Sequence, residues 1–271
     1  MRFDSNLAWK DAVQAVSANR DVLLALAGVF FMLPSLAFAL LFPQPEPQAG
    51  LTPEQTLAVM GDFYRGAFPY MLVMTMIQAV GTLTVLTLFT DRARPTVGEA
   101  IRLGLGGVLS YLGAYLLIGM GLGLTGGLLI GGMAAAGVPA LAVVAVVALL
   151  VVMIYIGVRM SLIAPVVAVD RVRNPIEALR RSWDLTRGNA GRILGFYVLL
   201  GLAFIVVLLV LMGLIGVLLA VIAGGEGAKI GAAVISSLLT GIMTLYFIAV
   251  MASIHRQLSG PTAEAVSATF E

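Results

Sequence analysis

Apolar residues run along this chain in six long blocks separated by polar segments. The blocks lie near 22–42, 67–90, 107–132, 140–168, 193–223 and 229–254. Each approaches or exceeds the roughly 20 residues that a helix needs to cross a hydrocarbon core. The alternating pattern of a barrel strand is absent, and backbone groups in lipid must be bonded within their own segment. The pattern therefore predicts an all-α membrane protein with six transmembrane helices. The longest blocks imply tilt or ends that lie in the interface. The first twenty residues are too polar for a cleavable signal.

The polar segments carry their own patterns. In 43–66, the string PQPEP reads as stiff and extended. Thr52, Pro53 and Gln55 then form a capping-box signature, and Leu57, Met60 and Tyr64 follow at helical spacing. This predicts a short amphipathic helix on the outer membrane surface; a plain linker packed on the bundle is the competing reading. In 159–192, Asn174 precedes Pro175 and Glu177, again a cap, and Gly188-Asn189 reads as a left-handed stop. The helix between them places Ile176, Leu179 and Trp183 towards lipid or bundle. Arg180, Arg181, Asp184 and Arg187 face water, with Glu177–Arg181 and Arg180–Asp184 at pairing distance along the helix.

Two of these segments resemble each other. Asp91-Arg92-Ala93-Arg94-Pro95 leads to Glu99-Ala100-Ile101-Arg102 before the third span. Asp170-Arg171-Val172-Arg173-Asn174-Pro175 leads to Glu177-Ala178-Leu179-Arg180 before the fifth. Lys10-Asp11-Ala12-Val13 is a weaker third copy before the first. The unit read here is an amphipathic cytoplasmic helix plus two spans, used about three times, over 5–90, 91–168 and 170–257. Two spans per unit preserve orientation, so the copies are parallel. The bland alternative is a chance match of short Arg- and Ala-rich strings.

Charge sets the orientation. Of 16 basic residues, thirteen lie in the N-terminal segment, the segments after spans two and four, and the C-terminal tail; only Arg65 and Lys229 lie on the other side. The positive-inside rule places both termini in the cytoplasm. The whole of 1–271 is read as one polytopic domain, with 258–271 a short cytoplasmic tail. Composition agrees: 60% of residues are hydrophobic and 11% charged, against about 25% charged in a soluble domain, and mean hydropathy is +1.04. This excludes a soluble enzyme, a disordered chain and a nucleic-acid-binding domain. With no Cys and one His, a thiolate or His-rich metal site is excluded as well.

Candidate chemistry is sparse. Arg159 lies inside the fourth span, about eleven residues before Asp170, or roughly 16 Å of helix. It needs backbone carbonyls, Asp170, Glu177 or a ligand as partner, and Pro165 frees a carbonyl nearby. With Arg173, Arg180, Arg181, Trp183 and Arg187 it forms the candidate site for an anion or lipid headgroup, since Arg forks bind phosphate. The competing view is an interfacial helix whose arginines enforce topology. Gly119, Gly123, Gly127 and Gly131 recur every four residues, a close-packing face that places span three centrally or at an oligomer seam. His255 reads as an interfacial residue. Phosphate loops, zinc-ligand helices and nucleophile elbows are absent, so neither a catalytic residue nor a metal or cofactor is expected.

The string Arg159 … Pro165 … Asp170 … Glu177-Ala178-Leu179-Arg180-Arg181-Ser182-Trp183-Asp184-Leu185-Thr186-Arg187-Gly188 resembles the membrane domain of bacterial glycerophosphoryl diester phosphodiesterases and the YciC-like inner-membrane proteins. The sharp identity covers about thirty residues. The resemblance implies a six-span bundle in the bacterial inner membrane, with amphipathic helices before spans. The soluble phosphodiesterase domain has no counterpart here, so hydrolysis is not carried over. The leading expectation is a non-enzymatic protein that binds or handles lipid, or a phosphate-bearing anion derived from lipid, at its Arg-rich cytoplasmic face. The alternatives are a small-solute transporter or channel, and a membrane scaffold for a partner protein. Membrane lipids are the expected partner, with a second copy of the chain or another membrane protein beside them.

Overall fold

A computed structural model describes residues 2–45, 50–90, 95–137, 139–222 and 224–260. It is all-helical, 88% helix, with no strand among the described residues and six helices long and apolar enough to span a membrane. In chain order the helices are α1 (Ser5–Ala18), α2 (Arg20–Ala27), a π-helical turn (Gly28–Met32), α3 (Leu33–Leu41), α4 (Pro53–Thr90), α5 (Val97–Leu105), α6 (Val108–Ala135), α7 (Pro139–Met160), α8 (Ile163–Ala168), α9 (Pro175–Thr186), α10 (Ala190–Ile222) and α11 (Gly225–Ser259).

A short capped helix precedes the first, third and fifth spans, and the caps are local chemistry. The Asp4 carboxylate accepts from Leu7 N–H at 3.0 Å. Thr96 and Glu99 close a full capping box, and donation from Thr96 holds the Glu99 carboxyl below its ordinary range. The Asn174 side chain accepts from Ile176 and Glu177. The segment Asp91–Arg94, half of the repeated motif, lies outside the described residues, as does Glu46-Pro47 of the Pro-rich string.

The spans depart from simple rods at two places. Pro34 cannot continue an α-helical ladder, because its ring meets the carbonyl four residues back. The chain answers with the π turn, in which Leu33 N–H reaches Gly28 O. Gly81 of α4 and Gly241 of α11 flank this turn; a Cβ on Gly81 would sit 2.4 Å from Phe30 Cβ. The fourth span breaks after Met160. Ser161 bonds back to Val158 through both its N–H and its hydroxyl, and α8 continues as a fully buried piece (Ile163–Val167) beside α4. Val172 N–H then returns to Val166 O with Arg171 at φ +54, a Schellman-type stop.

Two expectations are corrected. The outer segment does not hold a separate surface helix: the Thr52–Gln55 capping box forms (2.9 and 3.3 Å), but the helix it starts runs on through Pro69 as the 38-residue α4. Nothing between Gly66 and Pro69 supplies a stop, and a Pro is tolerated in a spanning helix. Span three is not central. Its glycines Gly119, Gly123, Gly127 and Gly131 have open space where a Cβ would be, and α7 packs instead at Gly126, against Leu149. The central spans are α4 and α11, the two with the largest buried share. The hydrophobic runs of α6, α7 and α10 are apolar all round and face outward, as expected of lipid-exposed helices.

Candidate functional site

The site is built where the fourth span ends. Arg159 is the penultimate residue of α7, so the helix break places it at a terminus and not deep inside a continuous span. α9 lies across that terminus. Ser182 Oγ donates to the Arg159 carbonyl at 2.8 Å and Thr186 Oγ1 to the same carbonyl at 3.3 Å. These two hydroxyls, one helical turn apart and fully buried, satisfy a carbonyl that the end of α7 leaves without an intrahelical partner.

The Arg159 side chain is 5% exposed. Its guanidinium carbon stands 4.1 Å from the centre of the Trp183 ring and 5.7 Å from Tyr155, and the two rings meet edge to face at 5.8 Å. Arg159 donates to Thr186 Oγ1 at 3.4 Å, while Nε has no hydrogen-bond partner. None of the expected carboxylates reaches it: among the described residues it makes no ion pair. Its charge is held by a π face, a contact available within about 6 Å.

On its other side Trp183 closes one end of an apolar groove of about 740 Å³ between α6 and α7. Gly121, Leu122 and Thr125 form one wall, Ala145, Ala148 and Leu149 the other, and Leu179 joins Trp183 at the end. Both helices that form it face outward from the bundle.

The remaining arginines are dispersed. Arg173 lies against Gly106–Gly107 and donates to Leu103 O at 3.5 Å, at the C-terminus of α5, so it braces the α5–α6 turn. Arg181 pairs with Asp170 at 3.3 Å and not with Glu177. Arg180 is exposed on α9, three residues from Trp183. Arg181 and Arg187 share a small polar hollow of about 230 Å³ with Asp184 and Asn189, and Asn189 accepts from Phe3 N–H at 3.0 Å.

His255 is buried inside the protein and does not face out from it. It is 3% exposed, with Nε2 3.2 Å from Asp170 Oδ1. Burial raises the Asp170 carboxyl, but His255 and Arg181 together outweigh it and hold the group below its usual value. Asp170 thus ties the α8–α9 turn to α9 and α11. Asp11 does the same for α1, accepting from Arg256 at 2.7 Å and Ser253 at 3.3 Å.

The structure brings the candidates Arg159 and Trp183 together, and adds Tyr155, Ser182, Thr186 and the groove, which the sequence reading did not name. The Ser182/Thr186 pair was visible as a polar i, i+4 stripe on α9; the groove had no local signature.

The chain belongs to the family described as "Domain of unknown function (DUF7847)", whose model matches residues 8–258. No curated protein and no solved structure matches it. The DUF7847 match takes in nearly all of α1 and every later helix, so the groove, α9 and the Asp170 node all lie within the family's extent.

Proposed function

We propose that this is a non-enzymatic, multi-pass bacterial inner-membrane protein that holds a phosphate-bearing lipid, or an anion derived from one, at its cytoplasmic face. One observation carries the reading: an apolar groove between α6 and α7 ends at Trp183, whose ring lies against the buried guanidinium of Arg159, which no carboxylate reaches. An acyl chain lies in the groove between α6 and α7. The phosphate sits at the level of Trp183, where Arg159 and the exposed Arg180 supply positive charge. Transport of a small ion fits less well, because Arg159 stands behind Trp183 and not on the groove wall.

The same reading keeps both termini cytoplasmic, on the distribution of Arg and Lys. Each capped helix with its two following spans is one of three parallel repeats. The resemblance of Arg159–Gly188 to the glycerophosphoryl diester phosphodiesterase membrane domain and YciC-like proteins adds support, without any hydrolytic step.

Native mass spectrometry of the full chain tests this. Phospholipid retained by the wild type is expected to fall several-fold in Arg159→Ala/Arg180→Ala and in the groove-filling Ala148→Leu. Equal retention in all three rejects the site and leaves the arginines a role in topology alone.

A further inference from the structure

A second cavity, of about 250 Å³, shares no lining residue with the α6–α7 groove and lies between the π turn, α3, α4, α6 and α11. Ser35, Thr75, Gln78, Thr82, Thr240 and Thr244 line it, with Tyr111 beside them. Thr240 is near the middle of α11, and Thr75, Gln78 and Thr82 are all interior to α4, so the cavity is at membrane depth. A run of hydroxyls and an amide is out of keeping with spans chosen for apolarity, and polar groups at such depth are costly unless partnered.

Their bonding leaves capacity facing the cavity. The hydroxyls of Thr75 and Thr244 donate to the carbonyls of Met71 and Thr240, each at 2.8 Å, so their lone pairs remain to accept. The Gln78 amide, with two donors and an acceptor, makes no hydrogen bond to any described residue. The lining holds no acidic or basic side chain, so an ion entering would lose its hydration with no compensating charge. Two of its lining residues, Thr75 and Thr240, are exposed at the bundle surface. The inner wall is the π turn's Phe31, held in place by the close approaches at Gly81 and Gly241; π turns recur at functional sites.

We propose that this cavity binds an uncharged, hydroxyl- or ester-bearing group about the size of a glycerol unit. The volume is ample for it: about 250 Å³ holds roughly eight waters at about 30 Å³ each, room for a glycerol unit together with its ester groups. The Gln78 amide donates to a carbonyl or hydroxyl oxygen, and the Thr oxygens accept from a hydroxyl. Two sources share this chemistry, the glycerol–ester region of a neutral lipid entering sideways and a free polyol.

The full chain in phosphatidylcholine nanodiscs, incubated with a diacylglycerol carrying a photoactivatable diazirine near its glycerol end, tests the proposal. Labelling is expected within 71–82 of α4 or 240–244 of α11, and Gln78→Leu/Thr82→Val is expected to reduce it at least fivefold. Thr244→Val alone replaces the double variant should that variant fail to fold. Excess free glycerol that suppresses the label identifies a polyol site; label that persists identifies a lipid site. Absence of label in these segments, label unchanged in the folded variant, or equal labelling by a phosphatidic acid bearing the same diazirine overturns the proposal. Phospholipid retention at the α6–α7 groove is measured on the same variants and is expected to be unchanged, so failure here is distinguishable from failure of the groove reading.

Discussion

Arg159 is stabilised by two different faces of α9. Its carbonyl takes the hydroxyls of Ser182 and Thr186, and its guanidinium takes the ring of Trp183. The hydroxyl contacts are the more decisive for stability, because losing one leaves a buried acceptor under-satisfied. Ser182→Ala is expected to cost about 1–2 kcal/mol, read as a lowered unfolding midpoint in detergent, with α9 loosening first by hydrogen exchange. An unchanged midpoint would mean that Thr186 alone suffices. That Arg159 needed something other than lipid around it could be read from its position in an apolar run. That it found an indole and two hydroxyls could not, because Ser182, Trp183 and Thr186 lie more than twenty residues on and reach it only when α9 folds across the end of α7.

At the scale of elements, local chemistry decides where helices begin and packing decides where they end. Asp4, Thr96 and Asn174 each cap a helix through side-chain acceptors, and Thr52 starts α4 in the same way. Thr96→Ala removes one half of a reciprocal cap and is expected to destabilise α5 by about 1 kcal/mol, measured as faster amide exchange over Val97–Leu105 with α6 unaffected. Equal acceleration along α6 would show that the two helices unfold as one unit. The ends were harder to read. The amphipathic spacing of Leu57, Met60 and Tyr64 looked like a separate helix lying on the membrane, but the helix passes directly into the span. The glycine stripe of α6 takes no neighbour within the chain: small residues permit a close approach without causing one, and Leu149 of α7 approaches at Gly126 instead.

At the scale of the whole molecule, the C-terminal end of α11 is the point where distant segments are tied together. Ser253, His255, Arg256 and Gln257 meet Asp11 and Asp4 of the N-terminal segment and Asp170 of the α8–α9 turn. The Asp170 carboxyl is held below its ordinary value in the fold, so the stability it contributes is fully present above the unfolded value near 3.8 and is lost as pH falls through the lower folded value. Asp170→Asn is therefore expected to lower the unfolding midpoint at neutral pH, with the gap from wild type closing as pH falls below about 4. A gap that stayed constant down to pH 3 would assign the loss to packing and not to charge.

The sequence by itself determined the class of molecule, the number and approximate extent of the spans, and the start of the short helix before the fifth. These follow from hydropathy and capping, which act over a few residues and survive any arrangement of the bundle. Only the tertiary structure decided that α4 and α11 form the core, that the fourth span breaks beside Arg159, and that Asp170 meets a histidine 85 positions away. The groove between α6 and α7 and the hydroxyl-lined cavity around Gln78 belong to the same group. Each is a space between helices, shaped by how far apart neighbouring backbones come to rest, and that distance is set by the packing of side chains distant in sequence and by no local pattern.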